Sequence, residues 1–157
     1  MSVTYTTEKF SDLIEEMKAL FYEHWQEIAN YKDRFPLNPD FNRYRKMDEL
    51  GLLHTSIARE EEKIIGYCIF FVMPHLHYQD CIYAVNDVVF VSKAHRKGTV
   101  GMRIIKFSVG ELTKRGVHRM VMHIKVNHDF GRVLERIGFV KTETQYDLLL
   151  TQEVSHG

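Results

Sequence analysis

The spacing of apolar residues predicts two helices near the start of the chain. Apolar positions recur every three or four residues over about residues 8–24, with polar residues between them, which is the pattern of an amphipathic helix. A proline-containing break at 35–39 follows, and Asp40 can cap a second helix that Gly51 would end. A short strand at 3–6 precedes both helices.

Apolar runs in the middle of the chain predict strands of one sheet. Residues 53–59 alternate moderately between apolar and polar, whereas 64–73 and 81–91 are almost continuously apolar. A histidine-rich connection at 74–80 separates the two apolar runs. Two or three antiparallel strands therefore form the predicted centre of the sheet.

The last third of the chain alternates helix and strand signals. A helix ending at Gly116 is followed by a strand over 117–126, a short helix, and a final hairpin that begins at Phe139 and includes 146–150. The predicted order is β-α-α-β-β-β-α-β-α-β-β. This order favours a single α/β domain spanning residues 1–157, with helices on both faces of a mixed sheet.

Composition narrows the function classes. The chain has 157 residues with 21 basic and 21 acidic side chains, and a net charge of zero argues against broad nucleic-acid binding. Cys68 and Cys81 do not make a disulfide framework, the N-terminus lacks signal-peptide character, and no apolar run reaches the length of a membrane span. We therefore expect a cytoplasmic protein without a membrane partner.

The junction at Val88–Met102 carries the strongest chemical signal. An apolar strand runs into a basic, glycine-containing turn, and the turn opens a helix. Free backbone N–H groups at the positive end of a helix dipole make a site for phosphate groups.

This junction resembles the core signature of the GCN5-related N-acetyltransferases, which is Arg/Gln-x-x-Gly-x-Gly/Ala between a strand and a helix. Arg96-Lys97-Gly98-Thr99-Val100-Gly101 occupies that register, with Gly101 at the final glycine and Thr99 in place of the middle one. As in many members, Asn127 precedes a short helix and Gly138-Phe139 follows it. The element order agrees from residue 3 to about 150. The residues whose context is also similar to acetyltransferases of bacteriophage genomes are Tyr67, His77, Tyr78 and Asp87.

The resemblance implies acetyl-CoA as co-substrate and direct transfer of its acetyl group to a primary amine. Backbone amides of the turn would hold the pyrophosphate, and an N–H near Val89 to Val91 would stabilise the oxyanion. Thr99, where the family has glycine, either donates its hydroxyl to a phosphate oxygen or weakens cofactor binding. Asn127 is either a ligand of the pantetheine amides or an ordinary turn residue. The residues expected at the cofactor are Val89, Phe90, Val91, Arg96, Lys97, Gly98, Thr99, Val100, Gly101, Met102 and Asn127.

Asp87 is the candidate general base, because it is the one acid in the apolar run 81–91. A protonated amine must lose a proton before it attacks, and a buried carboxylate is costly unless paired or functional. Strand alternation would place Val85, Asp87 and Val89 on one face. The competing interpretation is a structural Asp bonded to the backbone or to a histidine.

The general acid is less defined. The resemblance implies a tyrosine four residues before Gly-Phe, but Leu134 stands there, so Tyr146 on the final hairpin is the candidate substitute. His75 and His77 offer two nitrogens, which is not a full metal site, so no metal is expected. With Tyr78 these histidines either line the acceptor side of the cleft or simply cover the hairpin.

Two functions remain open. The first is an N-acetyltransferase with an amine acceptor of undefined identity, and the resemblance implies that residues 24–50 form part of the wall of its acceptor site. The second is a non-catalytic acyl-CoA-binding regulatory module. A dinucleotide-binding fold fits poorly, because the glycine-containing turn follows several strands and no Gly-x-Gly-x-x-Gly occurs. A homodimer is left open.

Overall fold

The computed structural model describes residues 2–150 and builds them around one five-stranded sheet. The strands lie side by side in chain order, and neighbours are antiparallel except for the last two, which are parallel. The predicted mixed sheet is thereby confirmed. The strands are β1 (Val3–Thr7), β2 (Leu53–Glu60), β3 (Lys63–His75), β4 (Tyr78–Val91) and β5 (Arg119–Val121).

Helices cover both faces of this sheet, as predicted. The helices α1 (Phe10–Ile28) and α2 (Phe41–Glu49) enclose one hydrophobic core, and α3 (Val100–Lys114) with α4 (Gly131–Ile137) encloses the other. Among residues 2–150, no helix combines the length and the apolar character that a membrane crossing requires.

Helix ends follow the local chemistry. Asp40 caps α2 as predicted, because its carboxylate accepts a hydrogen bond from the Arg43 N–H at 2.9 Å. Gly138 ends α4 in the left-handed region, with φ of 117°. The Asp129 carboxylate accepts from the Gly131 N–H at 2.7 Å and so stabilises the start of α4.

The hairpin of β3 and β4 is longer than predicted. Residues 74–80 were expected to be a connection, but only Leu76 and His77 lie between the strands. Pro74 can be part of β3 because its nitrogen faces an edge of that strand that has no neighbouring strand among the described residues. The Val72 N–H donates to the Leu52 carbonyl, so the nitrogen two residues later points the same way, beyond the start of β2, where no ladder hydrogen bond is lost.

The predicted final hairpin is not formed in the described residues, since 138–150 contain neither strand nor helix. The apolar residues of the predicted strand are exposed, with Tyr146 at 91% and Leu148 at 78%. The strand predicted over 117–126 is also short, since β5 covers three of those residues. A three-residue edge offers few ladder hydrogen bonds to a further strand.

Candidate active site

A β-bulge places Asp87 where β4 meets α2. Ile69 of β3 lies opposite Val88, and Phe70 lies opposite Asn86, so Asp87 is an extra residue without a partner on β3. Bulges re-aim side chains and are common beside active sites.

The bulge corrects one expectation. Asp87 reaches the α2 side of the sheet, where its carboxylate accepts a hydrogen bond from the Tyr44 hydroxyl, whereas Val89 packs in the core beneath α3. Val85, Asp87 and Val89 therefore do not share a face. One inserted residue reverses the alternation after it.

The surroundings of Asp87 suit a proton acceptor. Burial raises the pKa of Asp87, and the hydrogen bond from Tyr44 opposes that rise. Burial, followed by the charge of Asp87, raises the pKa of Tyr44. The proton of this pair therefore stays on the phenol, and the carboxylate of Asp87 keeps its role as acceptor.

A second hydrogen-bonded pair lies under the same helices. The Tyr67 hydroxyl and His24 Nδ1 are 3.1 Å apart, and both residues pack on Phe90, with ring centroids at 5.2 and 5.1 Å. Burial lowers the pKa of His24 to about 4, so its ring is neutral at physiological pH. The pair holds α1 against β3 and β4.

The sheet opens beside Asp87. β4 pairs with β5 only from Tyr83 to Val85; beyond that point the Asn86 side chain takes over, donating to the His123 carbonyl at 3.0 Å and accepting from the His123 N–H. The two strands therefore separate, and the later part of β4 has a free edge in the described chain.

Backbone amides line this free edge. The Ser92 N–H points to β3, where it donates to the Ile65 carbonyl at 2.7 Å. Because N–H directions alternate along a strand, the N–H groups of Val91 and Val89 point to the open side, and that of Phe90 points to β3. Of the three predicted oxyanion donors, Val89 and Val91 have the required direction.

The predicted phosphate turn has free donors at the start of α3. The first N–H bonded inside the helix is that of Arg103, to the Thr99 carbonyl at 2.9 Å, which leaves the N–H groups of Val100, Gly101 and Met102 available. Thr99 is the N-cap residue, but its hydroxyl makes no capping hydrogen bond. The hydroxyl is therefore free to meet a ligand.

The glycines of the turn are not required by the protein's own packing. A Cβ at Gly98 would meet nothing within 4 Å, and one at Gly101 would lie 3.8 Å from Val91 Cγ2, which is an ordinary contact. Neither residue has a positive φ. Small residues over an open surface fit the close approach of a pyrophosphate, so the turn fits the group that the resemblance implies.

Arg96 makes two contacts within the protein that the amino-acid sequence did not indicate. Its Nε donates to the Val91 carbonyl at 2.8 Å, and its guanidinium forms an ion pair with Glu27 near the end of α1. On the other side of the opening, Lys125 Nζ donates to the Ile28 carbonyl at 2.8 Å. The end of α1 thus bridges both sides of the opening, and phosphate binding by Arg96 stays a prediction.

The turn before α3 is anchored to β2. His95 Nε2 lies 2.9 Å from the Glu60 carboxylate, and His95 Nδ1 lies 2.7 Å from the Ser92 hydroxyl. Since a carboxylate only accepts, Nε2 donates to Glu60.

Two predicted residues are exposed, and their roles stay predictions. Tyr146 belongs to the exposed segment after α4, and the structure does not bring it to Asp87. Asn127 lies on the exposed 3-10 turn Val126–His128, after β5. Leu134, at the position of the expected tyrosine, is buried in the core beneath α3.

Residues that sequence reasoning missed complete the cluster. Tyr44 and His24 had no chemical signal of their own, because their partners are 43 residues away in both cases. Asn86 interrupts an apolar run and could have been singled out for that reason.

The sequence of the chain matches the model of a protein family. The model for the acetyltransferase (GNAT) family matches residues 10–139. Among curated protein sequences, none is significantly similar to this chain.

Solved structures share the fold at low sequence identity. A ribosomal-protein-alanine N-acetyltransferase from Brucella melitensis biovar Abortus 2308 has a TM-score of 0.70 at 16% identity, covering 96% of this chain and 100% of its own. A glucosamine-6-phosphate N-acetyltransferase from Arabidopsis thaliana has a TM-score of 0.72 at 13% identity, covering 96% and 100%. A predicted acetyltransferase with acetyl-CoA from Clostridium acetobutylicum has a TM-score of 0.71 at 15% identity, covering 95% and 97%.

Proposed function

Because this chain belongs to the GNAT family of acetyltransferases, we propose that it transfers an acetyl group from acetyl-CoA directly to a primary amine. The observation that carries the proposal is the position of Asp87. A bulge aims its carboxylate to the α2 side of β4, immediately before the free edge of the same strand. A proton acceptor and a row of backbone donors therefore adjoin each other.

Each part of the site has a defined task. Acetyl-CoA supplies an acetyl group activated as a thioester. The free N–H groups of the turn after β4, with the Thr99 hydroxyl, hold the pyrophosphate, and the Val89 and Val91 N–H groups stabilise the acetyl oxygen as it gains negative charge. Asp87 takes the proton from the acceptor amine, directly or through water.

The thiolate of CoA is a tolerable leaving group, and no acid is assigned to it. The residue at the family's usual tyrosine position is Leu134, and Tyr146 is 91% exposed. The chain's own residues therefore account for amine activation and oxygen stabilisation.

Asp87→Asn tests the proposal. The variant keeps the shape of the side chain but loses the base, so we expect turnover to fall about 100-fold or more while acetyl-CoA affinity stays unchanged. Turnover is measured as CoA release over a panel of amines, and affinity by calorimetry. The matched control is Asp80→Asn, an exposed aspartate on the same strand.

Two outcomes would contradict this assignment. If Asp87→Asn turns over amines at the parent rate, Asp87 is not the base. If acetyl-CoA binds tightly but no amine releases CoA, the chain is instead a regulatory acyl-CoA-binding module.

A further inference from the structure

We propose that a groove beside Asp87 selects acceptors in which a single primary amine is attached to an apolar or aromatic body. This inference rests on the proposed function, since it assigns the acceptor of the same site. The groove is a cavity of about 440 Å³ between α2 and β3, a size usual for small-molecule sites. We call it the acceptor groove, and it is lined by Asp40, Arg43, Tyr44, Met47, Phe71 and Met73.

Tyr44 connects the acceptor groove to the proposed base. Its ring lines the groove and its hydroxyl donates to the Asp87 carboxylate. A larger cavity of about 520 Å³ lies at the start of α2, but none of its lining residues belongs to β3 or β4. Of these two cavities, only the acceptor groove therefore leads to the proposed base.

The floor of the acceptor groove is apolar. Phe71 and Met73 of β3 pair with Val85 and Tyr83 of β4, and paired residues share a face of the sheet. Asp87 contacts α2 on this face, so the side chains that an acceptor meets next to the base are hydrophobic. Burial of an apolar body here removes hydrocarbon from water and orients the amine.

Aromatic side chains extend this surface beyond the groove. The β3–β4 hairpin projects past the start of β2, and the His75 ring lies 5.1 Å from the Tyr83 ring and 5.1 Å from the Tyr78 ring. Tyr78 is 64% exposed. Flat aromatic groups on the acceptor can therefore continue along the hairpin.

The charges around the groove disfavour polycations. Asp40 is the one carboxylate among the lining residues, and it already accepts the Arg43 N–H as a helix cap. The Arg43 guanidinium, which lines the groove, has no acidic partner in the part of the chain that the structure describes. Beyond the Asp87 carboxylate, which the reacting amine occupies, the further positive charges of a polyamine or an amino sugar would meet the Arg43 guanidinium and one carboxylate, which do not complement them.

The test compares two amines on the parent protein and on variants of the groove. CoA release is measured with 2-phenylethylamine and with spermidine. We expect kcat/KM for 2-phenylethylamine to exceed that for spermidine at least tenfold. In Met73→Lys we expect KM for 2-phenylethylamine to rise about tenfold or more with kcat nearly unchanged, because ground-state and transition-state binding lose the same contact. Phe71→Ala should act in the same direction.

Leu76→Ala is the control, because Leu76 is apolar, 97% exposed and outside the groove. The KM of this variant for 2-phenylethylamine should stay at the parent value. Preference for spermidine, or an unchanged KM in Met73→Lys, overturns the proposal. Binding of 2-phenylethylamine by calorimetry separates this failure from failure of the proposed function. If 2-phenylethylamine binds, Met73→Lys abolishes that binding and no amine releases CoA, the groove is supported and the transferase function is refuted. If 2-phenylethylamine neither binds nor releases CoA, the groove proposal is refuted.

Discussion

At the residue scale, the pair of Asp87 and Tyr44 decides how the base is used. Tyr44 does not touch the reacting atoms, so it is a positioning residue. Burial raises the pKa of Asp87, and the Tyr44 hydroxyl lowers it by stabilising the charged form. Its removal leaves the effect of burial unopposed.

Tyr44→Phe should therefore move the pH profile. A general base works when it is deprotonated, so activity falls as pH drops through the pKa of Asp87. Without the hydroxyl that pKa is higher, and we expect the acidic limb of kcat/KM to lie at higher pH, with activity approaching the parent value at pH above the limb. Tyr22→Phe is the control, because Tyr22 is 52% exposed on α1. An unmoved limb would show that Tyr44 does not act on Asp87.

The same residues show what the sequence could reveal about the site. Asp87 stood out as an acid in an apolar run, and its candidacy needed no structure. Tyr44 did not stand out, because its importance comes from packing between a helix and a strand 43 residues apart. The bulge was also invisible, since strict alternation was assumed, and this placed Val89 on the wrong face.

At the scale of elements, the turn and α3 form a unit whose donors face outward. Thr99 replaces the family's middle glycine, and its hydroxyl makes no bond to the helix that it precedes. The helix therefore does not depend on the Thr99 hydroxyl, which in the proposed function donates to the pyrophosphate.

Thr99→Ala should weaken acetyl-CoA binding about tenfold, which is the loss of one hydrogen bond to a charged oxygen. Unfolding free energy should not change, since no cap is removed. Thr99→Ser keeps the hydroxyl and should bind like the parent protein. Calorimetry and urea unfolding measure the two quantities, and equal affinities of the Ala and Ser variants would remove Thr99 from the phosphate site.

Element lengths were harder to predict than element types. The apolar runs correctly indicated β3 and β4, but the hairpin closes in two residues because Pro74 falls on a free edge. Conversely, the apolar segment 146–150 was predicted to form a strand, and the described chain has none there. Periodicity reports the preference of a segment, whereas pairing also requires a neighbour with an available edge.

At the scale of the whole molecule, each of the two cores contains a buried neutral histidine. His24 lies between α1 and the sheet, and His54 of β2 lies on the opposite side, where its Nε2 is 3.0 Å from the hydroxyl of Ser56, which in turn bonds Ser108 of α3. Burial lowers the pKa of both histidines to about 4, and Arg115 contributes to the shift of His54. The buried histidine on each face of the sheet therefore stays neutral until the pH falls to about 4.

These histidines set the response of the fold to acid. An unfolded histidine binds a proton near pH 6.5, whereas the folded ones bind it only near pH 4, so the unfolded state takes up more protons in this window and stability falls as pH decreases from about 6.5 to 4. At about 1.4 kcal/mol per pKa unit, each histidine accounts for a loss of about 3 kcal/mol. That loss is large against the 5–15 kcal/mol typical of a domain.

His54→Gln tests this at the level of the fold, because glutamine does not titrate. In urea unfolding at several pH values between 7 and 4, we expect the variant to lose about 3 kcal/mol less than the parent protein over the window. His77→Gln, at an exposed position, should lose as much as the parent protein. Parallel curves for the parent protein and His54→Gln would place the acid sensitivity elsewhere. A reduced slope would mean that the polar contacts linking β2 to α3 require a neutral imidazole, and that protonation of His54 destabilises the packing of α3 on the sheet that bears Asp87.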